Sequence, residues 1–306
     1  MIVHQSTRTA ERASELFESR RFTTKKKKKK NNNMEEILVK RLSEIDNSFL
    51  QGIEITINDE KIELKELINW EVKRAKVNLN LYRGWNIPDV VIPQELDTMK
   101  SEDLLFLLHQ IQGKLTKELI EEKLSWKLFL SKWIGYGMIA ISPGEKHQLS
   151  CIQMRIPNCS AEKFYKSISM KMGVDKMVNF LACPDHYWLE NTPKGLEVIE
   201  TPGSFPFPSR FFLQMNDISG VVLEEDPSYP FQMYGTALSE DDSIMGGIRH
   251  QFRAAKDDPT ICEAILAVSF PEYTPFYYVE EHQWHLACEW TRWFQMFAID
   301  SQQEEN

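Results

Sequence analysis

Val279-Glu-Glu-His-Gln-Trp-His-Leu-Ala-Cys-Glu-Trp-Thr-Arg-Trp-Phe-Gln-Met-Phe-Ala-Ile299 is the stretch on which the fold turns. Leu286, Trp290, Trp293, Phe294 and Phe297 fall at offsets of 4, 7, 8 and 11, the period of one helix face. His282, His285 and Glu289 occupy the adjoining edge at i, i+3 and i+7, with Glu289 one turn above His285. A carboxylate beside a core stripe needs a partner, because stripping its charge of water is expensive. Two partners fit. One is His285 as an imidazolium in an i,i+4 pair. The other is a metal ion, and neutral imidazole nitrogen with carboxylate oxygen suits zinc.

Working back from this helix, residues 136–306 read as antiparallel hairpins. Gly137–Ser142 and Ser150–Ile156 are expected strands, and Ser160 can cap a helix ending near Gly173. Tyr187–Glu190 and Leu196–Glu200 flank the turn Asn191-Thr-Pro-Lys-Gly195. Arg210–Met215 and Val221–Glu225 flank Gly220, and Gly246–Ala254 and Ile261–Phe270 flank Lys256-Asp-Asp-Pro259. Hairpins closed by one long terminal helix predict an α+β fold, a curved antiparallel sheet wrapped on that helix. Such a sheet leaves a cavity for a small apolar ligand. Two further histidines enter this half: His186, after Cys183-Pro-Asp, and His250, within a strand.

Residues 34–135 read as a mainly helical region. Ile37, Leu38, Leu42 and Ile45 repeat at helical spacing; Gly52–Leu64 alternates around Asn58-Asp59-Glu60 as a hairpin. Helices follow over Glu66–Leu81, from Ser101 to about Gln112, and over Thr116–Trp133. His109, alone on an apolar helix face, reads as a packing residue. Residues 1–33, with Lys25–Lys30 and Asn31–Asn33, read as a disordered low-complexity tail, or alternatively as residues ahead of a true start at Met34.

Charge and cysteine usage narrow the function classes. The 306 residues carry a net −9, but the tail holds ten basic and three acidic side chains, leaving the body at −16. So acidic a body disfavours nucleic-acid binding, which needs a basic face. No apolar run reaches the length of a membrane span; Leu128–Ile141 is broken by Lys132, Gly135 and Gly137. Five cysteines without CxxC spacing argue against a disulfide scaffold and a thiolate zinc finger, which points to a reducing, cytoplasmic setting.

Several stretches, in order, resemble the diacetylphloroglucinol hydrolase and phloretin hydrolase family. They are Gly135-Tyr-Gly137 with Ser142-Pro-Gly144, Met154–Phe164, Cys183-Pro-Asp-His186, His250-Gln-Phe-Arg253 through Cys262-Glu263, and His285-Leu-Ala-Cys-Glu289. The match covers about residues 135–299. The resemblance implies a START-like, helix-grip catalytic domain holding Zn2+ through His186, His285 and Glu289, with His250 near the substrate. The family's fourth ligand is a glutamate on a later strand; Gln214–Gly220 has none there, and Asp217 is the nearest replacement, with Asn216 and Glu225 the alternatives. Met177-Val178 and Trp188-Leu189 replace a tyrosine and an asparagine of the family pattern.

The function so implied is metal-dependent hydrolysis of a carbon–carbon bond between an acyl group and a phenolic ring, with His250 moving a proton. The alternative is a non-catalytic START-like carrier or sensor. In either case the partner is a small aromatic or apolar molecule, and a homodimer stays open as the assembly.

Overall fold

The computed structural model describes Leu50, residues 52–142 and residues 147–304, all within the compact unit Ile45–Asn306. The expected tail, the helical repeat at Ile37–Ile45 and the Pro143-Gly144 turn lie outside the described residues.

The chain is α+β. Among the described residues, nine strands make one antiparallel sheet: β1 (Glu54–Ile57), β2 (Glu60–Ile62), β3 (His147–Ile156), β4 (His186–Thr192), β5 (Gly195–Glu200), β6 (Ser209–Met215), β7 (Phe231–Leu238), β8 (Ile244–Ala254) and β9 (Cys262–Pro271). Their order is β2-β1-β3-β9-β8-β7-β6-β5-β4, and the sheet is not closed. The helices are α1 (Leu64–Arg83), α2 (Ser101–Lys114), α3 (Lys117–Ile141), α4 (Ala161–Lys171), α5 (Lys176–Ala182) and α6 (Phe276–Glu304). None of the described helices is long and apolar enough to cross a membrane. All five cysteines are free thiols.

Local chemistry sets most of these elements. Asn58 and Asp59 take φ of 51° and 65°, the pair of positive values a two-residue hairpin turn requires. The β1–β2 hairpin then adds edgewise to β3, with Glu54 opposite Arg155 and Ile57 opposite Ile152, so residues on both sides of position 135 share one sheet. Ser160 caps α4 by accepting from Lys163 N, and Asp175 caps α5 by accepting from Met177 N and Val178 N.

Two expected strands are not found. Gly137–Ser142 forms the last turns of α3, ending where Ser142 N donates to the carbonyls of Met138 and Ile139. Met138-Ile-Ala-Ile141 is continuously apolar rather than alternating, so it continues a helix as readily as it starts a strand. Val221–Glu225 forms no strand either; β6 pairs with β7 instead. Gly220 is not a hairpin turn but a point of close approach. A Cβ there would come within 2.1 Å of the Gly246 carbonyl oxygen, and its own N–H donates to Thr236 Oγ1.

α6 is buried on two sides. Its apolar stripe packs on the sheet, where Trp290 meets Phe252 of β8 and Phe164 of α4 stacks on Phe294 with ring centroids 3.9 Å apart. On the other side Arg292 Nε donates to Glu71 Oε1 of α1 at 2.8 Å. A continuous apolar layer joins α1, α2 and α3 around Leu79, Tyr82, Leu104, Leu108 and Leu124.

Candidate metal centre

Four donor-bearing side chains meet where α6 crosses the β4–β5 hairpin. His186 Nε2 lies 3.2 Å from His285 Nε2 and 3.3 Å from Glu289 Oε1. Glu200 Oε2 lies 3.6 Å from His186 Nε2 and 3.7 Å from His285 Nε2. Helical spacing brings His285 and Glu289 from α6. Hairpin register brings the other two: His186 and Glu200 are cross-strand partners because the ladder slips by one residue between His186 and Trp188. That bulge at Tyr187 sets Glu200, rather than Thr201, opposite the histidine.

Cys183 completes a second edge of the group. Its Sγ lies 3.6 Å from Nδ1 of His285, the ring nitrogen opposite the one facing His186. Cys183, His186 and His285 form a buried cluster whose donor atoms all lie within 4.8 Å of one another, an arrangement able to hold a metal ion. His186 and His285 are therefore shared between a thiol on one side and two carboxylates on the other.

The donor chemistry fits a cation. His186 Nδ1 lies 2.7 Å from the Asn179 carbonyl oxygen, which can only accept, so that nitrogen carries a proton and Nε2 is the nitrogen turned to the cluster. Burial pushes His285 well below the ordinary imidazole range, with His186 and His282 adding to the effect, so it is neutral. Burial raises Glu200 to about 7; His186 pulls back, and Glu289 adds repulsion. Burial would lower His186, but its hydrogen bond to Glu289 and the charges of Glu289 and Glu200 overcome it and set the group at about 9. Two buried carboxylates beside two imidazoles thus demand a proton or a metal between them. Donors about 2.0–2.2 Å from a tetrahedral ion sit roughly 3.3 Å apart, close to the spacing here.

The carboxylate side opens on a cavity of about 130 Å³. Glu200, His285 and Glu289 form one part of its wall; Ile134 and Met138 of α3 and Leu196, Val198 and Ile248 of the sheet form much of the rest. His250 lines the same cavity, its ring 4.7 Å from that of Trp290. Burial drives its imidazole down to about 3, with His282 contributing, and its Nδ1 is buried without a hydrogen-bond partner among the described residues. His282, also on the wall, stacks on His285 with rings 7° from parallel and is held by Ser150 Oγ at 3.1 Å from its Nδ1.

Of the residues expected from sequence, His186, His285 and Glu289 come together and His250 lines the adjoining cavity. Asp217 does not join them. It sits in the turn after β6, where its Oδ1 accepts from Ser219 N at 2.9 Å and Ser219 Oγ at 2.7 Å. Glu200 and Cys183 occupy the cluster instead. The signal for Glu200 was the hairpin itself, since His186 and Glu200 bracket its turn almost symmetrically.

No family model matches the chain, and no curated protein matches it. Among solved structures, one described as a protein of unknown function, SA2116 from Staphylococcus aureus, matches with 8% identity and a TM-score of 0.30, over 51% of this chain and 98% of its own.

Proposed function

We propose that the chain is a zinc-dependent hydrolase of helix-grip, START-like architecture that cleaves a carbon–carbon bond between an acyl group and a phenolic ring in the cytoplasm. The observation that carries the reading is the approach of His285 Nε2, Glu200 Oε2 and Glu289 Oε1, which belong to residues on the wall of an apolar cavity, to Nε2 of the buried His186 behind them. Two imidazoles and two carboxylates make a donor set suited to zinc, with His285 already neutral and His186 releasing its Nε2 proton as the ion binds. The phenolic ketone as substrate rests on the sequence resemblance; the apolar walls are compatible with an aromatic ring.

A bound zinc ion would supply Lewis acidity toward a carbonyl and a lowered pKa for water. The protein's own groups do the remaining work. Leu196, Val198 and Ile248 exclude water and hold the ring. Water oxygen bonds to the acyl carbon, the electron pair of the carbon–carbon bond leaves with the ring, and the ring carbon takes a proton. His250, neutral and without a partner at Nδ1 among the described residues, is placed to move that proton. The products are a carboxylic acid and the deacylated phenol.

Metal analysis of the purified protein tests the reading directly. Zinc near one equivalent, lost in His285→Ala and Glu289→Ala, is the expected result. A metal-free wild type that is fully folded and takes up no added zinc overturns it. A zinc-loaded protein that binds phenolic ketones without turnover leaves the carrier reading in its place.

A further inference from the structure

The loop that delivers His186 is not held by the sheet alone. Pro184, Asp185 and His186 are gripped by side chains of α1 and α2, more than seventy positions earlier in the chain. Arg74 makes a two-pronged pair with Asp185: Nε donates to Oδ1 and Oδ2 at 3.0 and 2.9 Å, and Nη2 to Oδ1 at 2.9 Å. Asn78 Nδ2 donates to the Pro184 carbonyl and to Asp185 Oδ1, each at 3.0 Å, and its Oδ1 accepts from Tyr187 OH at 2.8 Å. Gln112 Nε2 donates to the carbonyls of Pro184 at 3.3 Å and of His186 itself at 3.2 Å.

All of these groups are buried, and Asp185 and His186 are fully so. A buried guanidinium–carboxylate pair of this geometry is directional, and breaking one partner strands a charge. Gln112 fixes the backbone of the candidate ligand, Asn179 fixes its ring, and Arg74 and Asn78 fix the residue before it. Imidazole that is oriented before a metal arrives loses less freedom on binding, so such contacts raise affinity without touching the ion.

We propose that Arg74, Asn78 and Gln112 are positioning residues for the metal centre, so that α1 and α2 tune its affinity through the Pro184–His186 loop. This rests on the reading of His186, His285, Glu200 and Glu289 as metal ligands. It assigns a role to a region in which the sequence offered no chemistry. The helices form the mould that holds one ligand in place, while α6 brings its own.

The test uses the full chain and zinc, with affinity measured by competition against a chelator and the ligand field read from the visible spectrum of the cobalt-substituted protein. Gln112→Met keeps the side-chain bulk and removes both bonds to the loop. Its zinc dissociation constant is expected to weaken about 10- to 100-fold, with an altered cobalt spectrum. Leu124→Ala removes a buried side chain from the same helical layer without a bond to the loop; it lowers stability and leaves zinc affinity and the cobalt spectrum as in the wild type. Arg74→Met with Asp185→Asn, which removes both charges together, guards against a misfolded single variant and weakens zinc in the same sense. Gln112→Met with wild-type affinity and spectrum overturns the inference while the metal centre stands. A wild type that binds no zinc overturns the metal centre itself.

Discussion

His186 and Glu200 face each other across the β4–β5 hairpin, Nε2 to Oε2 at 3.6 Å, because a bulge at Tyr187 shifts the ladder by one residue. An unbulged hairpin would set Thr201 there and turn the carboxylate toward the opposite face. The acid at this centre is thus chosen by strand register rather than by its place in a sequence pattern. Glu200→Gln is expected to lower zinc affinity at least tenfold, whereas Asp217→Asn, in a turn occupied with Ser219, leaves it unchanged. Parallel chelator titrations of the two variants decide the matter. Equal losses in both, or a loss only in Asp217→Asn, would refute the assignment of Glu200.

The pair Arg292–Glu71 ties α6 to α1 inside the protein, with both side chains largely shielded from water. Removing one partner leaves the other charge buried, at a cost of about 3–5 kcal/mol. Glu71→Leu is therefore expected to shift the urea midpoint strongly downward. Glu71→Leu combined with Arg292→Met restores much of the loss, because no charge is then stranded. A single variant as stable as the wild type would show that the pair does not hold the two helices together.

His109 gives the fold an acid-sensitive step away from the metal centre. Burial lowers its imidazole to about 3, with Arg292 contributing, against an ordinary value of 6.5 in an unfolded chain. Between those values the unfolded state binds a proton that the folded state refuses. Its contribution to stability is complete above 6.5 and drains away as the pH falls toward 3, at up to about 1.4 kcal/mol per pH unit. His109→Gln removes this dependence. Urea unfolding of both proteins in steps across that window is expected to give a shallower slope for the variant; parallel slopes would mean that His109 is protonated without penalty.

Different layers of the molecule were legible to different degrees. The α6 stripe, the β4–β5 and β8–β9 hairpins and the placement of His285 and Glu289 follow from periodicity, because each is decided within about a dozen residues. The hairpin placed Glu200 within a residue of His186, but the bulge that sets the two opposite each other is encoded by no local propensity. The clamp of Arg74 and Gln112 on the His186 loop joins positions 111 and 74 apart, respectively, a pairing that periodicity does not carry. α3 ran on through Gly135 and Gly137 because its last turns roof the cavity with Ile134 and Met138, so tertiary packing outweighed two poor helix formers. The expected strand at Val221–Glu225 failed for a related reason: Gly220 is drawn against β8 by Thr236 and Ser269, and β7 takes the place beside β6.

Ile248 separates the function of the cavity from that of the metal centre. It projects from β8 into the apolar wall with Leu196, Val198 and Leu213 and contributes no donor atom. Ile248→Trp crowds a space of about 130 Å³ at an overpacking cost of about 1–3 kcal/mol, which thermal unfolding would register as a lowered but cooperative transition. The variant is expected to lose at least tenfold in affinity for 2-naphthol, followed by the fluorescence of the probe, while retaining wild-type zinc content. The two measurements together are decisive, because a ligand seated between α3 and the sheet cannot share that volume with an indole. Unchanged naphthol binding in a folded, zinc-loaded Ile248→Trp protein would place the ligand elsewhere on the molecule.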